Sequence, residues 1–399
     1  MGKWREVKLG DIAFTKSGGT PKRSQKSFWV NGEIPWLKSG ELNDNKNITE
    51  NTEYITQKAI ENSSAKLFPK GSLLLAMYGA TAGKLGILGM NAATNQAVCS
   101  IQNRNGLYIE EFIFNYLLLI REKIIRDSFG GAQPNISKSY IDNIKIPLPP
   151  LSEQNRIVTK LDGLFAKIDQ AIRLLEENIA HTEALMGSVL DEEFKRGEEK
   201  GWPLLKFTEF ASLRHGHQFR KYDFTENGIP IVKIGQCKKD GSLDLSNCNF
   251  IDQSRLEEFQ EDRIYKDDLL MALTGGTLGK VTWVEDDYGD LVQNYRVGNF
   301  FSIEGKSIKR FLMYVLMSSI FQKLVEAKVN QGAQPNIGKE NIDNMLVPIP
   351  SIKKQEGLIK KFDVIMRNQA KMIESQTQKL NDLKALKSSL LDQAFKGEL

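Results

Sequence analysis

The sequence predicts an α+β chain made by duplication: two tandem, mainly-β domains, each followed by a long helix. Three observations carry that prediction. The hexapeptide GAQPNI stands at 131–136 and again at 332–337, 201 residues later in a chain of 399. Short apolar and β-branched runs between glycine-rich turns fill the earlier part of each half. A long stretch of helical period closes each half.

The repeat extends well beyond the hexapeptide. Residues 131–150, GAQPNISKSYIDNIKIPLPP, share 12 of 20 positions with 332–351, GAQPNIGKENIDNMLVPIPS. At the same offset VLDEEFKRGE (189–198) faces LLDQAFKGEL (390–399). Earlier in each half the offset drifts: GATAGK (79–84) matches GGTLGK (275–280), IPWLKSG (34–40) matches IPIVKIG (229–235), and Trp4 matches Trp202. Drift of this kind places insertions and deletions in surface loops, where a repeated fold tolerates them.

Within the first half, EIPWL, GSLLLAMYG and AVCSI read as strands between turn signals, and 110–127 reads as a helical block. IPLPPLSEQ (146–154) then supplies a proline stop with Ser152 and Gln154 behind it, so a long helix begins near Ser152. The domains predicted are 1–150 and 199–351, with helices over 151–198 and 352–399.

The first helix carries an apolar seam at Val158, Leu161, Phe165, Ile168, Ile172, Leu175, Ile179, Thr182, Met186 and Val189, in alternating steps of three and four. The second repeats it with Ile359, Phe362, Met366, Gln369, Ile373, Gln376, Leu380 and Leu383. A one-stripe helix of roughly 43 residues, about 65 Å long, needs a partner for its stripe. The nearest candidate is the other copy, in parallel or antiparallel orientation.

Composition narrows the class. With 41% hydrophobic and 26% charged residues, the chain has no apolar run of the roughly 18 residues a membrane span requires. The start, MGKWREVKLG, lacks the apolar core of a signal peptide, and Glu6 stands where a myristoylation signal needs Ser or Thr. A cytoplasmic protein without membrane partners is expected. Cys99, Cys237 and Cys248 are widely spaced and form no CxxC, so reduced structural thiols are expected.

The net charge of +4 is only mildly basic, and its distribution says more. Residues 14–32 hold Lys16, Lys22, Arg23 and Lys26 with no acidic residue. Residues 213–222 hold Arg214, Arg220 and Lys221, again with none.

Catalytic patterns are missing. GATAGK has three residues between its glycines and Leu85 after Lys84, so it reads as a strand-to-turn segment with a basic tip and not as a phosphate loop. His215 and His217 would share one strand face, but His181 is the only further histidine, so a metal site is not expected. No GxSxG, HExxH, GxGxxG or amino-methyltransferase tetrapeptide occurs. A non-catalytic reader or scaffold is expected.

The order SGGTP…FWVNGEIPWLKSGEL, GAQPNI…IPLPPLSEQNRIV, KYDFTENGIPIVKIG, GAQPNI…IPSIKKQEGLI and LLDQAFKGEL resembles the specificity subunit of type I restriction-modification enzymes over essentially the whole chain. The resemblance implies that each mainly-β part is a target recognition domain and that the two helices form an antiparallel coiled coil serving as a spacer. It further implies double-stranded DNA as ligand and a bipartite target. Partner subunits follow too: methylation subunits, two of them expected, carrying S-adenosylmethionine, and motor-nuclease subunits using ATP and Mg. This chain itself would bind no cofactor.

Physically, a duplicated reader suits duplex DNA, whose successive major-groove faces recur every 34–36 Å or so. Candidate phosphate holders are Lys16, Lys22, Arg23, Lys26, Lys38 and Lys84, then Arg220, Lys221, Lys233, Lys238, Lys239 and Lys280. Candidate base readers are Ser17, Thr20, Ser39, Tyr78, Thr81 and Gln96, then Arg214, His215, Gln218, Gln236, Thr274, Thr277, Asn294 and Arg296. KSGGTPKRSQKSFW has no close counterpart in LRHGHQFRKYDF, which predicts two different half-sites. A coiled-coil scaffold without DNA binding and an NTPase built on GATAGK are the rival readings. GAQPNI itself reads as a shared architectural turn at the exit from each domain, with Gln133, Asn135, Gln334 and Asn336 as further polar residues there.

Overall fold

The computed structural model describes residues 4–128, 135–238, 240–329 and 335–399. The chain divides into two compact units, Met1–Glu176 with Gln378–Leu399, and Glu177–Thr377. Each is taken in turn.

In the first unit a five-stranded sheet runs in the order Ala13–Ser17, Val98–Asn103, Leu73–Ala76, Leu85–Leu88, Asn45–Ile48. All its pairs are antiparallel except the last. The strand Leu73–Ala76 is buried throughout, as a continuous apolar run should be when both sheet faces are covered. Alternation then sends its side chains into two cores. Leu73 and Leu75 pack with Phe112 and Ile113 of the helix Glu110–Leu119, while Leu74 and Ala76 pack with Leu37, Phe68 and Leu88. The helical block expected over 110–127 is two helices, Glu110–Leu119 and Arg121–Asp127. A second sheet of four short strands is ordered Glu53–Ile55, Ile34–Leu37, Ala92–Thr94, Leu67–Phe68.

The second unit repeats the plan. Its main sheet is ordered Ala211–His215, Val297–Ser302, Leu269–Ala272, Val281–Trp283, and its smaller one Asn249–Ile251, Ile229–Val232, Val292–Gln293. Leu269 and Met271 face the helix Lys309–Met317, and Leu270 faces the opposite core with Val232 and Val284.

Two helices, Leu151–Glu199 and Ile352–Lys396, follow the sheets and contribute to both units. Each starts on a buried glutamine. Gln154 donates to the carbonyls of Pro149 (2.8 Å) and Leu107 (3.0 Å) and accepts from the amide of Ile109 (2.9 Å). Gln355 donates to Pro350 (2.9 Å) and Lys306 (3.0 Å) and accepts from Ile308 (2.9 Å). The same latch thus joins domain to helix twice.

Within each unit the helices pair antiparallel. In the first, Lys387 meets Asp169 at 2.6 Å and Arg156 donates to the carbonyl of Leu399 at 2.8 Å. In the second, Lys361 meets Glu193 at 2.7 Å, while Gln369 donates to the carbonyl of Thr182. Low numbers face high numbers throughout, which settles the orientation the heptads leave open. The fold is therefore α+β, a tandem duplication with an antiparallel pair of long helices.

Candidate nucleic-acid interface

The repeated glycine turn follows the main-sheet strand in each domain. Gly79 (φ 78°) and Gly275 (φ 73°) adopt left-handed backbone, opening one turn of 3-10 helix over Gly79–Thr81 and Gly275–Thr277. Beside it lies the end of GAQPNI. Asn135 bridges to Tyr78, with the amide of Ile136 donating to Met77 at 2.7 Å. Asn336 bridges to Thr274, with Ile337 donating to Leu273 at 3.0 Å. The close of the hexapeptide is thus a β-bridge that pins the glycine turn. Its earlier residues, Gln133 and Gln334 among them, lie outside the described residues, as does Lys239.

In the second domain this junction forms a cavity of about 210 Å³, floored by Leu273 and Ile337 and lined by His215, Thr274, Tyr295, Arg296 and Asn336. His215 Nδ1 lies 3.0 Å from the Tyr295 carbonyl, and Arg296 Nε donates to the Tyr295 hydroxyl at 2.7 Å. Thr274 Oγ1 is buried without a hydrogen-bond partner. Three sequence candidates, His215, Thr274 and Arg296, meet here.

Strand register locates their counterparts in the first domain. Ser17 pairs with Cys99 as His215 pairs with Gly298, and Asn95 donates to Leu37 as Asn294 donates to Val232. Tyr78, Ser17, Gln96, Ala97 and Asn135 therefore occupy the places of Thr274, His215, Tyr295, Arg296 and Asn336. Thr20 donates to the Gln96 side chain, tying two candidates together. Ser39 and Thr81 share a hydrogen bond of 2.9 Å, whereas Thr277 Oγ1 is unpartnered where Ile234 replaces the serine.

The basic loop of the first domain is acid-free in sequence but not in space. Glu53, from the smaller sheet, pairs with both Arg23 and Lys38. The Arg23 guanidinium lies 3.8 Å from the Trp29 ring centroid and 5.0 Å from that of Trp36. The Arg23 hydrogen bond, against the cost of burial and with help from Lys38, holds the Glu53 carboxyl below its usual range. Lys16, Lys22 and Lys26 are exposed and make no ion pair among the described residues. Lys84 donates to Asn43 at 3.2 Å.

Several candidates of the second domain turn inward. Arg214 donates to the Arg263 carbonyl (2.8 Å) and to Gln293 Oε1 (3.0 Å) on the sheet face away from His215. Gln236 is buried, accepting from the Lys233 amide (3.1 Å) and donating to the Asn247 carbonyl (3.0 Å). It caps a turn as Glu41 does for Lys38 (2.7 Å), a role that a lone polar residue in a loop does not announce. Asn294 is buried and accepts from the Arg296 amide at 3.2 Å. Gln236 and Asn294 spend these side-chain atoms inside the fold, as buried polar atoms must, whereas Arg214 is half-buried and leaves its Nε without a partner. Lys238 is paired with Asp244 at 2.9 Å, and Lys233 packs over Phe224 (4.2 Å) beside Asn249, its pKa lowered by burial. Gln218, Arg220 and Lys221 remain exposed, while Lys280 is partly buried. Sequence reasoning overlooked Tyr295, Glu53 and Trp29. Tyr295 was recoverable by setting TNQA (94–97) against QNYR (293–296).

The type I restriction modification DNA specificity domain matches residues 1–177 and 199–384, one copy per half. The chain belongs to this family. Similar specificity subunits include that of the type I restriction enzyme MjaVIII from Methanocaldococcus jannaschii, 25% identical over 95% of this chain and 91% of the relative. That of EcoKI from Escherichia coli K12 is 24% identical over 99% and 89%. Among solved structures, a chain from work on complex assembly and conformational transition of the type I R-M system aligns with TM-score 0.78, 19% identity and 100% and 99% coverage. The HsdS subunit from Thermoanaerobacter tengcongensis aligns with TM-score 0.55, 19% identity and 100% and 98% coverage.

Membership makes the chain a specificity subunit, the recognising and non-catalytic component of a type I system. Among the described residues no helix is long and apolar enough to cross a membrane, and no group of three or more His, Cys, Asp or Glu side chains is arranged to hold a metal ion.

Proposed function

We propose that this specificity subunit reads an asymmetric, bipartite DNA target, one half-site per domain, with the antiparallel helices setting the gap between them. The carrying observation is the pair of junction clusters. One frame, closed by Asn135 or Asn336, presents Ser17, Tyr78, Gln96 and Ala97 in the first domain and His215, Thr274, Tyr295 and Arg296 in the second. Like frames with unlike donors and acceptors are what two different half-sites require. Lys16, Lys22, Lys26, Lys84, Arg220, Lys221 and Lys280 hold phosphates around these readers.

Methylation subunits carrying S-adenosylmethionine dock on the chain, two per subunit, and motor-nuclease subunits using ATP and Mg join them in the cytoplasm. The test is co-expression with the cognate methylation subunit, followed by mapping of methylated adenines. Two different half-sites at a constant gap are expected. A perfect palindrome, or a gap unchanged by residues inserted near Asn178, would overturn the reading. A chain that shifts no DNA at low salt would instead be a coiled-coil scaffold.

A further inference from the structure

Among the described residues, the lining of the second-domain cavity holds one cationic side chain, Arg296, and no acid. The guanidinium is set by its neighbour. Its Nε donates to the Tyr295 hydroxyl at 2.7 Å, and the group lies 5.2 Å from the centroid of that ring. Fixing Nε leaves the planar end of the fork, Nη1 and Nη2, as a parallel pair of donors. Neither has a partner among the described residues, and neither is sealed from solvent, unlike the Nε atoms of Arg214 and Arg263.

His215 adds the opposite function. Its Nδ1 lies 3.0 Å from the Tyr295 carbonyl, which can only accept, so Nδ1 carries the proton and the neutral ring keeps Nε2 as an acceptor. Tyr295 therefore orients both side chains, Arg296 through its hydroxyl and His215 through its carbonyl.

Paired donors beside one acceptor have a complement in the major groove of duplex DNA. Guanine alone sets two acceptors, N7 and O6, side by side there, and its cytosine partner adds the N4 amino donor. Adenine puts a donor next to N7, and thymine offers O4 beside a methyl group. A phosphate brings acceptors only and leaves His215 Nε2 without a donor.

We infer that Arg296 reads a guanine in the half-site of the second domain, Nη1 and Nη2 donating to O6 and N7, with Tyr295 as the positioning residue. This rests on the bipartite reading proposed above and names a base that it leaves open. The first domain has no such contact to offer. Strand register puts the buried Ala97 in the place of Arg296 and Gln96 in that of Tyr295, so the arginine-read guanine belongs to one half-site only.

The test uses the full chain with its cognate methylation subunit, on duplexes carrying the target mapped from methylated adenines. Each guanine is replaced in turn by 7-deazaguanine, which lacks N7, and by inosine, which keeps N7 and O6 and loses only the minor-groove amino group. At one position 7-deazaguanine should weaken binding in gel shifts by about tenfold or more, while inosine leaves it close to unchanged. Arg296→Ala should bind the unmodified duplex more weakly by a similar factor and no longer distinguish the two analogues. Tyr295→Phe should lose part of the difference. Arg296→Lys keeps the charge without the fork and should lose most of the discrimination, which covers the case in which the alanine variant does not fold; the analogue scan on the wild type needs no variant. No responding guanine in the second-domain half-site, a 7-deazaguanine effect that survives in Arg296→Ala, or an Arg296→Ala loss equal at every base pair overturns the inference and leaves the bipartite reading intact. Methylation maps without two half-sites strike that reading, and the inference with it.

Discussion

Gln369 of the distal helix donates to the main-chain carbonyl of Thr182 on the central helix at 2.6 Å, and to that of Glu183 at 3.0 Å. These are off-pattern positions of the two apolar seams, and the structure places them opposite each other. Polar residues at such positions select one register at some cost in stability, because any slip strands the buried amide among apolar side chains.

Gln369→Leu is therefore expected to raise the unfolding free energy by about 1 kcal/mol while loosening register. Spin labels at the exposed positions Leu185 and Met372 should then show a second distance population in the variant and a single one in the wild type.

Gln154 and Gln355 each make three hydrogen bonds in a fully buried setting. Replacing either by alanine leaves the Ile109 or Ile308 amide and two carbonyls unpaired, at a cost of about 2–4 kcal/mol by denaturant unfolding. Because the latches are equivalent, the two losses should be similar.

Glu53→Gln releases Arg23 and Lys38 from their shared carboxylate. DNA affinity at low salt should rise, and the slope of log K against log salt should steepen by up to about 2, the value for two more phosphate contacts. Gel-shift titrations across salt concentrations read this directly. The added affinity should be indifferent to sequence.

Arg296→Ala removes a side chain held against Tyr295 in the second-domain cavity. Discrimination at one base pair of one half-site should fall by about 1–3 kcal/mol, with the other half-site unchanged. Maps of methylated adenine would show that pattern, and loss spread over both half-sites would contradict it.

Glu193 links the helices through Lys361 and Lys354. Burial opposes its charge, but the Lys361 hydrogen bond and the surrounding lysines and arginine outweigh burial and keep its pKa below the ordinary 4.5. The unfolded chain then takes up the proton more readily, so the pair's stabilisation is fully present above about pH 4.5 and is lost as pH falls through the folded value. Lys361→Met should flatten this part of the stability profile measured by denaturant unfolding.

Much was legible in the sequence because duplication writes the same architecture twice. The recurrence of GAQPNI, the proline stop before Gln154 and the spacing from Val158 to Val189 depend on local backbone preference and on side-chain period, which are properties of neighbouring residues. They determined two tandem, mainly-β domains, each followed by a long helix. Tertiary structure decided what depends on residues far apart in the chain. Antiparallel pairing, the inward turn of Arg214, Gln236 and Asn294, and the neutralising of Arg23 by Glu53 all arise where distant strands and helices meet. A polar side chain reads the same in sequence whether it faces solvent or completes a turn; burial and hydrogen-bond satisfaction are what separate the two.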